Sequence, residues 1–100
     1  MGEHQFAKIG AEIIQIIDDL NLEIVFMVPS GWVNWLKVGY KFQYNVNETS
    51  KKYEAKVIQR GAKIDAVSRS IIIIGATNRR HRELIPGMSG TIKFKLPTRD

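Results

Sequence analysis

The chain has no cysteine and only three prolines among its 100 residues. Without cysteine there is no disulfide framework, no thiolate metal site and no cysteine nucleophile. Long apolar runs are missing too. Stretches such as Leu22–Val28 and Ile71–Ile74 fall far short of the roughly 20 residues that a membrane-spanning helix needs. No signal peptide is legible, because Met1-Gly2-Glu3-His4 is neither basic nor followed by an apolar core. The two histidines, His4 and His81, have no second donor at metal-ligand spacing, so no metal site is expected. Asp18 and Asp19 are adjacent, and neighbours in an extended chain point to opposite faces, which excludes a shared acid/base role. Ser30, Ser50, Ser68, Ser70 and Ser89 lack the context of an activated nucleophile. None of the glycines opens a long helix as a phosphate loop would. The expectation is a protein that is not an enzyme, with no catalytic residue, no cofactor and no metal.

What is present points to one small folded unit. Apolar residues make up 44% and charged residues 25%, a balance that allows a hydrophobic core and argues against disorder. A chain of this length buries roughly 60–65% of its unfolded surface, enough for a single core. The net charge is +5, which suits nucleic acid, an anionic membrane surface or an acidic protein partner. The excess is spread along the chain and selects none of them.

The patterning is that of strands and turns. Residues 5–9 and 12–17 read as two extended pieces around Gly10-Ala11, with Ile13, Ile14, Ile16 and Ile17 favouring strand over a rival helix across Glu12–Leu20. Leu22–Val28 is a strong strand that Pro29 ends. Ser30 is a candidate N-cap for one or two helical turns over Gly31–Lys37, which Gly39 stops. Tyr40, Phe42, Tyr44 and Val46 alternate with Lys41, Gln43 and Asn45, the signature of a half-buried strand. A polar turn, Asn47–Lys52, joins it to Tyr53–Gln59, and Gly61 permits a bulge. Ile71–Thr77 reads as a buried strand, and Ile92, Phe94 and Leu96 alternate with lysines in the last one. Five to seven short strands with turn signals about every ten residues predict an all-β fold, a small antiparallel β-barrel of about six strands with one short helix. The expected core is Leu22, Ile24, Phe26, Val33, Tyr40, Phe42, Val46, Val57, Ile72, Ile74, Ile92 and Phe94.

Candidate binding residues follow from chemistry. Trp32 and Trp35 share a helical face; tryptophan is enriched at binding hot spots, yet a tryptophan beside a short helix also plugs barrel ends. Asn78–Arg82 holds Arg79, Arg80, His81 and Arg82, a hairpin tip whose guanidinium groups suit carboxylates on an acidic partner. Asn47-Glu48-Thr49 matches a glycosylation sequon by chance in a turn. The aromatics of Tyr40–Tyr44 lie opposite the lysines, against the shared face that base stacking would need.

Five motifs in order carry a family likeness: Leu22–Pro29, Leu36-Lys37-Val38-Gly39, Lys56-Val57-Ile58, Asp65–Ser70, and Leu84-Ile85-Pro86-Gly87-Met88 with Ser89-Gly90. Together with Asn78 at the end of the fourth strand, they resemble the barrel domain of the periplasmic adaptor, or membrane-fusion (hemolysin-D-like), family. Phe6–Asp18 is similar to the return half of the lipoyl-like unit that precedes that barrel. The resemblance therefore implies a partial lipoyl-like segment over 1–18 and the barrel over 19–100. It implies a non-catalytic, periplasmic docking module of an efflux or secretion system that is anchored at the inner membrane through a part not seen here. Its partners would be an inner-membrane transporter, other adaptor subunits and, through further missing parts, an outer-membrane channel. Asp65, Arg69, Asn78, Pro86, Gly87 and Met88 would be structural motif residues, while Trp32, Trp35, Arg79, Arg80 and Arg82 are candidates for docking. The basic Arg79–Arg82 turn departs from the family pattern. A small basic barrel that binds nucleic acid is the alternative reading.

Overall fold

A computed structural model of the chain describes residues 6–15, 22–77 and 81–95. Six strands carry it: β1 (Phe6–Gln15), β2 (Leu22–Pro29), β3 (Lys41–Val46), β4 (Lys51–Asp65), β5 (Ser70–Thr77) and β6 (Ser89–Lys95), with a 3-10 helix at Ser30–Asn34 between β2 and β3. They close into a barrel in the order β1-β2-β5-β4-β3-β6. Every pairing is antiparallel. The all-β barrel expected from the turn spacing is the fold.

Period-two patterning decides what goes inside. Phe42, Tyr44 and Val46 of β3, Tyr53, Ala55 and Val57 of β4, and Ile92 and Phe94 of β6 are all buried. Burying each large apolar side chain stabilises the fold by about 1.5–3 kcal/mol. Phe94 is the hub, with ring centroids of Phe26 at 5.7 Å, Phe42 at 5.9 Å and Trp32 at 5.4 Å. No charged or polar residue is buried among those described. The hydroxyl of Tyr44, fully enclosed, donates to the Ala11 carbonyl at 2.9 Å and ties β3 to β1 across the interior. Burial, aided by Glu48 and Glu12, pushes the Tyr44 pKa up to about 12.

Three expectations change. First, in β5 the inward residues are Ile71 and Ile73, while Ile72 is 44% exposed and Ile74 is only partly buried. Four consecutive isoleucines carry no alternation; the frame is set by pairing, which puts Ile73 opposite the buried Phe26. Leu22, Val33 and Tyr40 of the expected core are half-buried and pack against it. Second, the short helix is one 3-10 turn, and it has no side-chain cap, so Ser30 does not act as one. The Trp32 carbonyl accepts both the Trp35 and Leu36 amides, at 3.1 and 2.7 Å, and the turn goes no further. Gly31, Val33 and Asn34 are weak helix formers. Third, residues 6–15 form one continuous strand that pairs with β2 on one side and β6 on the other. Ala11 and Ile13 face inward and are buried, which places this strand in the wall.

Gly61 lies where the β4–β5 register shifts, between Arg60 and Ile64, in line with the bulge expected there.

Candidate functional site

Strand direction assigns the candidate residues to two ends of the barrel. One end gathers the end of β2, the 3-10 helix and the β4–β5 turn: the Ser30 amide donates to the Arg69 carbonyl at 2.9 Å, and an Arg60 guanidinium nitrogen donates to the Val33 carbonyl at 3.1 Å. The other end gathers the β3–β4 turn and residues 81–88, since the Ser89 amide donates to Glu48 at 3.1 Å.

At the first end Trp32 and Trp35 lie half-buried with ring centroids 5.0 Å apart. Trp35 also meets Tyr40 at 5.5 Å and Phe94 at 6.1 Å. Both tryptophans thus plug the barrel and keep part of their surface at the rim. The same end presents Val67, 95% exposed, and Ile64, 52% exposed. Asp65 organises the turn: its carboxylate accepts the amides of Val67 at 2.9 Å and Ser68 at 3.4 Å. Those bonds hold the Asp65 pKa below its usual value. Arg69 contributes to the same turn. Its role is carried by its backbone, at a positive φ of 56°, with its amide donating to the Asp65 carbonyl at 2.7 Å.

At the second end the Leu84–Met88 motif is a joint. Leu84 is buried and Met88 packs against the core. The Ile13 amide donates to the Met88 carbonyl and the Gly87 amide to the Ile13 carbonyl, both at 2.9 Å. Gly87 sits at φ 97°, where a side chain would be strained, and Pro86 precedes it, exposed. Beside this joint the Tyr53 hydroxyl lies 3.0 Å from a Glu83 carboxylate oxygen and 3.0 Å from the Thr49 hydroxyl. His81 stacks edge-on against Tyr53 at 4.7 Å. The pKa of Glu83 is lowered by its own backbone amide, then by Tyr53, Lys51 and His81. Arg82 is exposed. Asn78, Arg79 and Arg80 lie outside the described residues. The docking candidates are therefore not one patch: Trp32 and Trp35 stand at one end and Arg82 at the other.

Sequence reasoning missed two features. The Tyr53–Glu83–His81 cluster joins residues 30 apart in sequence, and no spacing rule signals it. On the outer wall Lys8 is directly opposite Lys93 and Lys41 directly opposite Lys56, pairs that exist only once register is set. Among the described residues no group of three histidine, cysteine, aspartate or glutamate side chains could hold a metal ion. No helix there is long and apolar enough to cross a membrane. In the comparisons with known proteins, no family model, curated protein or solved structure matches this chain.

Proposed function

We propose that this chain is a non-catalytic docking barrel, the barrel domain of the periplasmic adaptor subunit in a bacterial efflux or secretion system, and that it contacts the inner-membrane transporter. One observation carries the docking role: the end that holds Trp32 and Trp35 also presents Val67 and Ile64 to solvent. Half-exposed tryptophans beside exposed aliphatics make an anchor for a protein surface. The interior of the described barrel is filled by apolar side chains, which supports the same reading. The motif residues that carry the family likeness serve as joints: Asp65 closes one turn and Gly87-Met88 locks another onto β1. Other adaptor subunits would be neighbours, and the outer-membrane channel would be reached through parts beyond this chain.

The test is site-specific photo-cross-linking in the native host, from a benzophenone side chain at Val67 and, as a control at the opposite end, at Ile85. A cross-link from Val67 to a multi-spanning transporter subunit is the expected result. Cross-links only to nucleic acid would transfer the function to the alternative, a basic nucleic-acid-binding barrel acting through Lys8, Lys93, Lys41 and Lys56. Absence of any membrane protein from both positions would overturn the adaptor reading.

A further inference from the structure

The described charges divide between the two ends of the barrel. β1 runs antiparallel to β2 with Gln15 opposite Leu22, so Phe6 and Lys8 lie towards the Pro29 and tryptophan end. Lys93 is directly opposite Lys8, and Lys95 directly opposite Phe6, which carries β6 to the same end. Lys41 opens β3 there, with Lys56 directly opposite it. Arg60 and Lys63 continue this belt along β4 towards the Val67 turn. All these cations are exposed. Among the described residues the carboxylate at this end is that of Asp65, which already accepts the Val67 and Ser68 amides. Glu54, opposite Gln43, marks the middle of the wall. Towards the far end stand Glu12, opposite Ser89, and Glu23, opposite Ile14, with Glu48 bonded to the Ser89 amide. Lys51, Lys52 and Arg82 are interspersed with acids there, so only the tryptophan end is uniformly basic.

Inside the basic belt the tip is apolar. Val67 and Ile64 stand exposed on a turn that Asp65 holds by its side chain and Arg69 by its backbone. The half-buried rings of Trp32 and Trp35 form the rim. Phe6, also exposed, has the Lys93 ammonium 4.3 Å from its ring centroid. Aliphatic groups at the apex, aromatic rings at the rim and ammonium groups behind them follow the layers of a bilayer surface: acyl chain, interface, phosphate. Lys8–Lys93 and Lys41–Lys56 are like-charge pairs directly opposite one another, which an external anion would relieve.

We propose that the tryptophan end seats on an anionic phospholipid bilayer, with Val67 entering the headgroup boundary and the lysine belt lying against the phosphates. Lysine dominates the belt, whereas protein interfaces are enriched in arginine and depleted in lysine. Nucleic acid would need free aromatic faces beside the lysines, but the tryptophan rings pack on each other and on Phe94. The inference goes beyond the docking role and does not rest on it. A transporter in the same bilayer would offer its surface at headgroup depth, so the two contacts are compatible.

The probe is vesicles of phosphatidylglycerol and phosphatidylcholine in equal parts, compared with phosphatidylcholine alone. Trp32 and Trp35 are the two tryptophans of the chain, so their emission reports on the tip. It should shift to the blue with the anionic vesicles, and sedimentation should show binding at least about tenfold tighter than to the neutral ones. Raising salt from about 0.05 M to about 0.5 M should release the protein. Lys8→Glu with Lys56→Glu should weaken binding at least about tenfold without lowering the melting temperature, because each change turns a like-charge pair into an opposite one. Lys51→Glu with Lys52→Glu makes the same charge change at the far end and should leave binding within about twofold. Equal binding to both vesicles, equal losses from the two double variants, or binding with no shift in tryptophan emission would each overturn the proposal. So would tighter binding to a single-stranded oligonucleotide than to the anionic vesicles, which would assign the belt to nucleic acid.

Discussion

Two seams of this barrel meet in different ways. The β3–β6 seam is short, pairing only Tyr44↔Ile92, Asn45↔Thr91 and Val46↔Gly90, yet it is tight. Gly90 lies so close to the Asn45 carbonyl that no Cβ would fit. The Asn47 amide extends the contact by donating to the Ser89 carbonyl at 2.9 Å. The β1–β2 seam has five pairs and then ends, although both strands run on. Strand length and hydrophobicity do not account for the contrast, since Leu22–Pro29 is among the most apolar segments. Single residues contribute: at one seam Gly90 lets two backbones meet, and at the other Pro29 has no amide to offer Lys8. Close backbone approach and ladder continuity are local, all-or-none requirements, whereas burial is graded.

The strongest way to break the comparison is Gly90→Ala. The new methyl would meet backbone atoms of Asn45 and Val46, which cannot swing aside as a flexible side chain does. We expect a loss of about 3 kcal/mol or more, read as a fall of at least ~10 °C in melting temperature. An unchanged melting temperature would mean that the β3–β6 seam is looser than described.

Tyr44→Phe should be milder. It removes the hydroxyl that satisfies the Ala11 carbonyl and should cost about 1–3 kcal/mol in denaturant titration. The same tyrosine sets an alkaline limit. Its folded pKa, about 12, lies above the ordinary 10.0, so the unfolded chain gives up this proton first. Its contribution is complete below pH 10 and is lost as pH rises through about 12. The variant should therefore show a shallower alkaline loss of stability than the parent, and parallel curves would count against the buried hydroxyl.

The smallest expected effect sharpens the other seam. Pro29→Val restores an amide opposite Lys8. The gain of a ladder bond is offset by a more flexible unfolded chain, so net stability should move by less than about 1 kcal/mol. Amide exchange at Lys8 should nonetheless slow as the pairing extends. Exchange as fast as in the parent would show that something other than Pro29 holds the strands apart.

Much of the fold is legible from residue order. The alternation at Tyr40–Val46 and at Thr91–Lys95 names the buried face correctly, because a polar residue at every second position leaves one solution. The Asp65 turn is legible for the same local reason: an aspartate two residues before a free amide is a turn signal in itself. Ile71–Ile74 is not legible, since four equal side chains fit either face. The resemblance alone places Phe6–Asp18 in a neighbouring unit, and the strand's own pattern does not say which sheet it joins. Of the candidate site, Trp32 and Trp35 were found by residue type, but their shared end with Val67 depends on strand direction. The facing lysines and the Tyr53–Glu83 contact escape because they pair residues distant in sequence.

By itself, then, the sequence determined the all-β class, the number of strands to within one, most inward faces and the lack of any metal-ligand spacing. These depend on period-two alternation and on glycine and proline, whose backbone effects act within a few residues. Tertiary structure alone decided the strand order β1-β2-β5-β4-β3-β6, the inward frame of β5, the lysine pairs on the outer wall and the point where β1–β2 pairing ends. Each of these is a statement of register. Register is set where two strands meet, and shifting it by one residue turns a buried face outward without changing a single local propensity.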